Sequence, residues 1–266
     1  MNDSVSNATL VMIVINLLLG FLIPAVLCIV MGKKSGGSLK AFFVGCGTML
    51  LFAFILEGAI NFLVSQTGAG ALLLQNIWGY ALYGGFMAGL FEETGRFVAF
   101  RTILRKNWDK DGNALMYGAG HGGFETFYIL VFGMLNNLIY AVVINAGMAD
   151  MLTAGLEGAQ LAAVEGAFAQ LSAASPLLFL AAPLERLLAI ALQLSLSVLV
   201  WFAAKKGGRT VLLYPLAILL HLVVDAVTVL LSNAISNTWI LEGVILVFTL
   251  GYAFLARWIW KKEKEI

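Results

Sequence analysis

Charge is the scarcest commodity in this chain. Only 12% of its 266 residues are Asp, Glu, Lys or Arg, against 61% hydrophobic ones. A soluble domain carries about 25% charged residues, so the composition excludes a soluble fold and points to a polytopic membrane protein embedded in a lipid bilayer. The net charge of +1 leaves no basic surface for a nucleic acid. The two cysteines, Cys28 and Cys46, both lie in apolar stretches and read as packing residues, not as a disulfide or a metal site. The first seven residues contain no Lys or Arg, and the apolar run after them exceeds the usual 7–15 residues of a signal peptide, so a cleaved leader is not expected.

What remains, once charge is set aside, is a series of long apolar segments. Spans of about 20 residues cross a bilayer, and seven such helices are expected at about 5–31, 40–65, 76–104, 113–146, 176–204, 210–232 and 238–260. The fold class is therefore an all-α membrane bundle, and residues 1–266 are read as one polytopic domain. Fourteen of the sixteen Lys and Arg residues follow the first, third, fifth and seventh spans, and the even-numbered connections have none. Basic residues stay on the cytoplasmic side, which predicts an N-terminus outside and a C-terminus in the cytoplasm. The longest connection, 147–175, is rich in Ala and Leu and fits a short helix on the outer surface. Only Arg96 and Arg186 escape this topological use of positive charge.

Arg96 belongs to the run Leu90-Phe91-Glu92-Glu93-Thr94-Gly95-Arg96-Phe97. A single charge at bilayer depth costs at least about 2.5 kcal/mol on lenient insertion scales, so three together require partners or a function. Counting about 1.5 Å per residue from each expected cytoplasmic boundary places Glu92 roughly 13 Å deep, His121 roughly 12 Å and His221 roughly 16 Å. These are the only two histidines in the chain. Glu92 and Arg96, His121 and Glu125, and His221 and Asp225 are each four residues apart, so each pair shares a helix face. Each such pair alone has a rival reading as a self-satisfied packing contact. Three at matched depth favour a common site built from the helices at about 76–104, 113–146 and 210–232.

The glycines suggest two uses. Gly85 and Gly89 form a small-xxx-small step suited to close helix packing. Gly118, Gly120, Gly122 and Gly123 surround His121 densely enough to suggest backbone exposed to a substrate or to water. Glu185-Arg186 counts to roughly 28 Å from the cytoplasmic edge and Glu57 to roughly 25 Å. An ion pair from Glu57 or Glu185 to Arg186, outside the catalytic centre, is the expected arrangement there.

With no Ser or Cys beside a histidine, the residues point to an activated water rather than a protein nucleophile. One carboxylate of Glu92 and Glu93 would act as general base, aided by His121. Arg96 would balance the other carboxylate, and His221, oriented by Asp225, would stabilise an oxyanion. A zinc version is also possible: His121, His221 and either Glu93 or Glu125 would ligate the ion and leave a fourth position for water. The chain contains no H-E-x-x-H and no Cys/His cluster of recognised spacing, so the metal-free version is favoured.

The order Glu92-Glu93-x-x-Arg96, Tyr117-x-x-x-His121 and His221-x-x-x-Asp225 on separate helices resembles the CAAX-protease and bacteriocin-processing superfamily of intramembrane proteases. Within it the chain looks most like the YhfC family of intramembrane metalloproteases. Phe124-Glu125-x-x-Tyr128 is similar to the related PrsW proteases, and Glu185-Arg186 resembles a further YhfC feature. The resemblance covers the third to the sixth span. It implies that Glu92 and His121 activate water, and that His221 and the Asp225 position, Asn in some members, form the oxyanion site. It also implies a bacterial plasma membrane. The chain departs from the wider pattern in two places. Arg96 comes one residue sooner than in E-E-x-x-x-R, which leaves open whether Glu92 or Glu93 faces the cavity, and Tyr117 replaces the usual Phe.

The function expected is therefore hydrolysis of a peptide bond in a membrane-embedded or juxtamembrane protein or peptide. The rival classes are a proton-coupled transporter, which broken helices and an internal repeat would favour, and a catalytically idle scaffold, which widely separated histidines would favour. No sequence feature specifies an oligomer.

Overall fold

The computed structural model describes residues Ser4 to Lys264, and among them there are helices and connections but no strands. The long helices are α1 (Asn7–Ser35), α2 (Leu39–Ser65), α3 (Gly68–Gln75), α4 (Ile77–Arg101), α5 (Gly112–Asn145), α6 (Gly158–Ala173), α7 (Ala181–Lys206), α8 (Leu213–Ala234) and α9 (Thr238–Lys264). Single 3-10 turns precede α7 and α8, at Pro176–Leu180 and Gly208–Leu212. Each expected span is helical, and the 147–175 connection contains the expected short helix, α6.

Six described segments are long and apolar enough to cross a membrane: Asn7–Ser35, Leu39–Ser65, Gly112–Asn145, Pro176–Lys206, Gly208–Ala234 and Thr238–Lys264. The seventh expected span, α4, is a 25-residue helix but falls outside that set. Glu92, Glu93, Arg96 and Arg101 all lie within it, and they lower the apolarity that marks the others. The polarity of the protein is inverted relative to a soluble one. Phe254, Val247 and Leu63 are among the most exposed side chains, whereas Glu92, Glu93, Arg96, His121 and His221 are buried. Hydrocarbon solvates the outer side chains and leaves the polar ones to find partners inside.

By contacts the chain divides into two compact units, one of residues up to Ile23 with Thr126–Leu184, the other of Pro24–Glu125 with the residues from Glu185 onward. In the first, Ile13, Met134, Ala141 and Leu171 form an apolar core. Two amide side chains tie its segments together: Asn145 accepts from the Val5 amide at 2.7 Å and donates to the Val5 carbonyl at 3.0 Å. Asn16 donates to the Phe179 carbonyl at 2.7 Å.

The second unit is built on α7, whose Leu196, Leu199, Trp201 and Phe202 pack with Phe100, Leu104, Met116 and Tyr117. Two devices bring the polar residues of this unit together. First, α4 lies directly on α8. A Cβ on Gly89 would meet the Ile218 carbonyl at 2.8 Å, and one on Gly85 would meet the Leu222 carbonyl at 2.7 Å. The two glycines therefore let α4 approach the turn that carries His221 and Asp225.

Second, α2 contains a nine-residue π-helical stretch, Met49–Glu57. Thr48, before it, packs against Gly95 of α4, while Asn61, after it, bonds to Tyr83 of α4. At about 100° per residue, an uninterrupted α-helix would turn Glu57 about half a revolution away from Thr48. The wider π turns advance less per residue and let both ends of α2 address α4.

Candidate functional site

The glycines around His121 serve a different purpose from the one the sequence suggests. Gly118, Gly120, Gly122 and Gly123 are all buried. Gly120 abuts the backbone of Phe42, Gly118 that of Leu194 and Gly122 that of Ile190. On the opposite side, Gly45 of α2 abuts the Tyr117 carbonyl and the His121 amide. They wedge α5 between α2 and α7, so the backbone there is closed to substrate and the imidazole is fixed by its helix. The Cys46 thiol, which bonds the Gly120 carbonyl at 3.2 Å, belongs to the same packing; both cysteines are free.

Held in this way, the side chains of α4, α5, α7 and α8 meet. His121 Nε2 lies 2.8 Å from Glu92 Oε2, and Gln193 Nε2 donates to the same oxygen at 2.9 Å. His221 Nε2 lies 3.9 Å from that oxygen. The two histidines, one hundred residues apart in sequence, thus converge on one carboxylate oxygen, as the matched depths predict. Glu93 turns the other way. Its Oε2 accepts from Arg96 Nη1 and its Oε1 pairs with His221 Nδ1 at 2.9 Å.

The pairings within each helix differ from the expected i, i+4 set. Arg96 pairs with Glu93, three residues away, and not with Glu92. His121 pairs with Glu92 and not with Glu125. Only His221 and Asp225 keep the expected spacing, at a loose 3.5 Å between Nε2 and Oδ2. Each departure has one cause: adjacent residues of α4 point about 100° apart, so Glu92 and Glu93 face different helices.

Charge accounting along the sequence does not find Gln193. Arg96 Nη2 donates to its Oε1, which fixes the amide so that Nε2 faces Glu92 and, at 3.3 Å, Glu125. As a neutral residue it escapes any accounting by charge. The available signal was its position seven residues after Arg186, two turns along the same face of an otherwise apolar helix. Arg186 in turn donates to Glu185 at 2.6 Å, as expected, and to Glu125 at 2.7 Å. Glu57 does not pair with Arg186; its partner is Asn61, at 3.2 Å. Arg186 is therefore linked to the Glu92 centre through Glu125 and Gln193, and is not a separate outer ion pair.

These groups border a cavity of about 520 Å³ lined by Glu57, Glu92, Glu125, Arg186, Gln193, His221 and Asp225, with apolar walls such as Leu192, Val224 and Ile245. Glu93, Arg96 and His121 stand behind the wall. Glu92 therefore resolves the ambiguity of the carboxylate pair geometrically: it is the one that borders the cavity, and its Oε1 makes no hydrogen bond to the described residues.

The same arrangement tests a metal site. Two imidazoles and a carboxylate are donors that suit zinc, but their placement does not. Glu93 is engaged by Arg96 and His221, and Glu125 by Arg186 and Gln193. Among the described residues no three His, Cys, Asp or Glu side chains are grouped to hold an ion. The residues as arranged do not fit the zinc set His121, His221 and Glu93 or Glu125.

Comparison with known proteins gives the chain a family. Residues 19–245 match the family described as YhfC intramembrane metalloprotease. The chain is 32% identical over 264 residues to the "Uncharacterized membrane protein YhfC" of Bacillus subtilis (strain 168), covering 98% of both chains. No solved structure matches it. With six bilayer-length apolar helices and a match spanning most of its length, this integral membrane protein belongs to the YhfC family.

Proposed function

We propose that the chain is an intramembrane endopeptidase in which Glu92 acts as general base on a water in the cavity. The reading rests on one observation above the others. The oxygen of Glu92 that faces the protein is saturated by His121 and Gln193, with His221 Nε2 3.9 Å away. That leaves its second oxygen toward a cavity large enough for an extended segment of chain.

In this mechanism Glu92 Oε1 takes a proton from water, and the water oxygen attacks the scissile carbonyl carbon. Negative charge develops on the carbonyl oxygen beside His221 Nε2–H, which donates to it. The proton held by Glu92 passes to the amide nitrogen as the C–N bond breaks, giving a carboxylic acid and an amine. His121 and Gln193 orient Glu92, and Glu93, anchored by Arg96, orients His221 through Nδ1. Asp225, to which the sequence assigns that orienting role, is a looser partner at the cavity side. No step passes through a metal.

We further propose that α4 crosses the bilayer as a seventh span. At about 1.5 Å per residue its 25 residues reach about 37 Å, more than the roughly 30 Å hydrocarbon core. The Lys and Arg distribution then sets the N-terminus outside and the C-terminus in the cytoplasm.

The test is cleavage of a membrane-reconstituted reporter by purified protein. Glu92→Gln and His221→Ala are each expected to lower kcat by about 10²–10⁴-fold while the protein remains folded in detergent. Wild-type rates in the double variant would sink the reading. Elemental analysis with chelator treatment tests the metal-free mechanism: substoichiometric zinc and chelator-resistant cleavage are expected. Stoichiometric zinc whose removal stops cleavage would replace that mechanism and leave the proteolytic reading standing.

A further inference from the structure

One carboxylate bordering the cavity is left over by the mechanism. Glu92 has His121, Asp225 has His221, and Glu125 and Glu185 share Arg186. Glu57 alone among the described cavity-lining carboxylates has no cationic or imidazole partner.

It is nonetheless held. Tyr83 of α4 donates its hydroxyl to Asn61 Oδ1 at 2.8 Å, and Asn61 Nδ2 donates to Glu57 Oε1 at 3.2 Å. The donors run in one direction, from Tyr83 through Asn61, and end on Glu57, whose Oε2 makes no hydrogen bond to the described residues. The first link fixes the orientation of the Asn61 amide, so the relay can end only on an acceptor. All three residues line the cavity that also contains Glu92 and His221. The π-helical stretch of α2 ends at Glu57, and its effect on helix phase is what turns this part of α2 toward α4.

Helix glue alone would be satisfied by the Asn61–Tyr83 bond and would need no carboxylate. An acceptor held in position beside the cavity, with an oxygen to spare and no counter-ion, is complementary to a cation that donates hydrogen bonds. We propose that Glu57, Asn61 and Tyr83 form a substrate subsite that takes a positively charged nitrogen, either a lysine or arginine side chain or a free α-amino group of the polypeptide being cut. This rests on the proteolytic reading for its biological meaning, though binding at the subsite does not depend on cleavage.

The experiment uses the full-length protein in proteoliposomes and otherwise identical apolar peptides of about 25 residues. Each carries Lys or Leu at one scanned position, with the N-terminus free or acetylated. Both dissociation constants and kcat/KM are measured. At one position the Lys peptide is expected to be favoured over Leu by about tenfold or more in both measurements. Glu57→Gln is expected to collapse that ratio toward one, and Glu57→Lys to shift preference to a peptide with Glu at the same position. Tyr83→Phe, which keeps the ring and frees the amide, is expected to reduce the ratio partially, and it tests the relay should a Glu57 variant fail to fold. If acetylation and not the Lys position controls the preference, the nitrogen is the α-amino group. Equal handling of Lys and Leu peptides by the wild type, with acetylation without effect, overturns the subsite and leaves proteolysis intact. Selective binding of the Lys peptide without any cleavage does the reverse.

Discussion

The two arginines that the cytoplasmic boundaries do not claim, Arg96 and Arg186, are held in opposite ways. Arg96 is fully buried, with one carboxylate, Glu93, and one amide, Gln193, as its partners. Arg186 borders the cavity and has two carboxylates, Glu125 and Glu185, the second with a side chain 40% exposed. A cation sealed behind the wall fixes geometry, because nothing else there can replace its bonds. A cation at the wall sets local charge, and its partners retain access to whatever fills the cavity. Gln193 joins the two systems: its oxygen faces Arg96, and its nitrogen faces Glu92 and the Glu125 that Arg186 holds.

The largest separation between the two should come from removing each guanidinium. Arg96→Met leaves Glu93 and the Gln193 oxygen buried without their donor, and breaking a buried pair in this way costs about 3–5 kcal/mol. Loss of cavity geometry and of cleavage should follow. Arg186→Met frees carboxylates that border open space, so a cost nearer about 1–3 kcal/mol is expected. Thermal unfolding of both variants in the same detergent measures the difference. Equal losses would dissolve the distinction between anchor and wall.

Gln193→Leu cuts the link while sparing both arginines. Glu92 would lose one of the two donors on Oε2, and the small misplacement that follows can cost about 10²-fold in rate. The effect is expected in kcat, with KM nearly unchanged, if the amide acts through Glu92 rather than on substrate. A loss confined to KM would make Gln193 a substrate contact and Glu92 independent of it.

The difference between the two arginines also marks what a sequence can disclose. That Arg96 and Arg186 needed partners followed from their standing in apolar runs away from every basic boundary. That Glu92, His121 and His221 lie at similar depth followed from helical rise, and their charge and shared faces favoured a common site. Which partner each group takes did not follow, because it depends on rotations of about 100° per residue that the packing sets. Hence Arg96 chose Glu93, His121 chose Glu92, and Glu125 was drawn to Arg186. Gln193 carries no charge to betray it. The glycines beside His121 look the same in sequence whether they expose a backbone or wedge helices, and only their contacts with Phe42, Leu194 and Ile190 separate the two. The π-helical stretch, Met49–Glu57, has the composition of any apolar span; only the contacts of Thr48 and Asn61 with α4 show what it does.

The smallest effect expected concerns the two carboxylates that reach His221, one from each system. Glu93 belongs to the sealed side: it is fully buried, bound to Arg96, and 2.9 Å from Nδ1. Asp225 belongs to the wall: its side chain is 39% exposed and 3.5 Å from Nε2. Glu93→Gln removes the charge that faces both Arg96 and the imidazole, and a drop in kcat of about 10²-fold is expected if His221 donates to an oxyanion. An open pair is worth about 0.2–1 kcal/mol, so Asp225→Asn should lower kcat by no more than about fivefold. An asparagine there could still accept or donate at the cavity edge, consistent with Asn in some members of the superfamily that the motifs resemble. Parallel kcat measurements on the two variants decide which carboxylate orients the imidazole. A larger loss from Asp225→Asn than from Glu93→Gln would move control of His221 from the buried arginine's side of the wall to the cavity's.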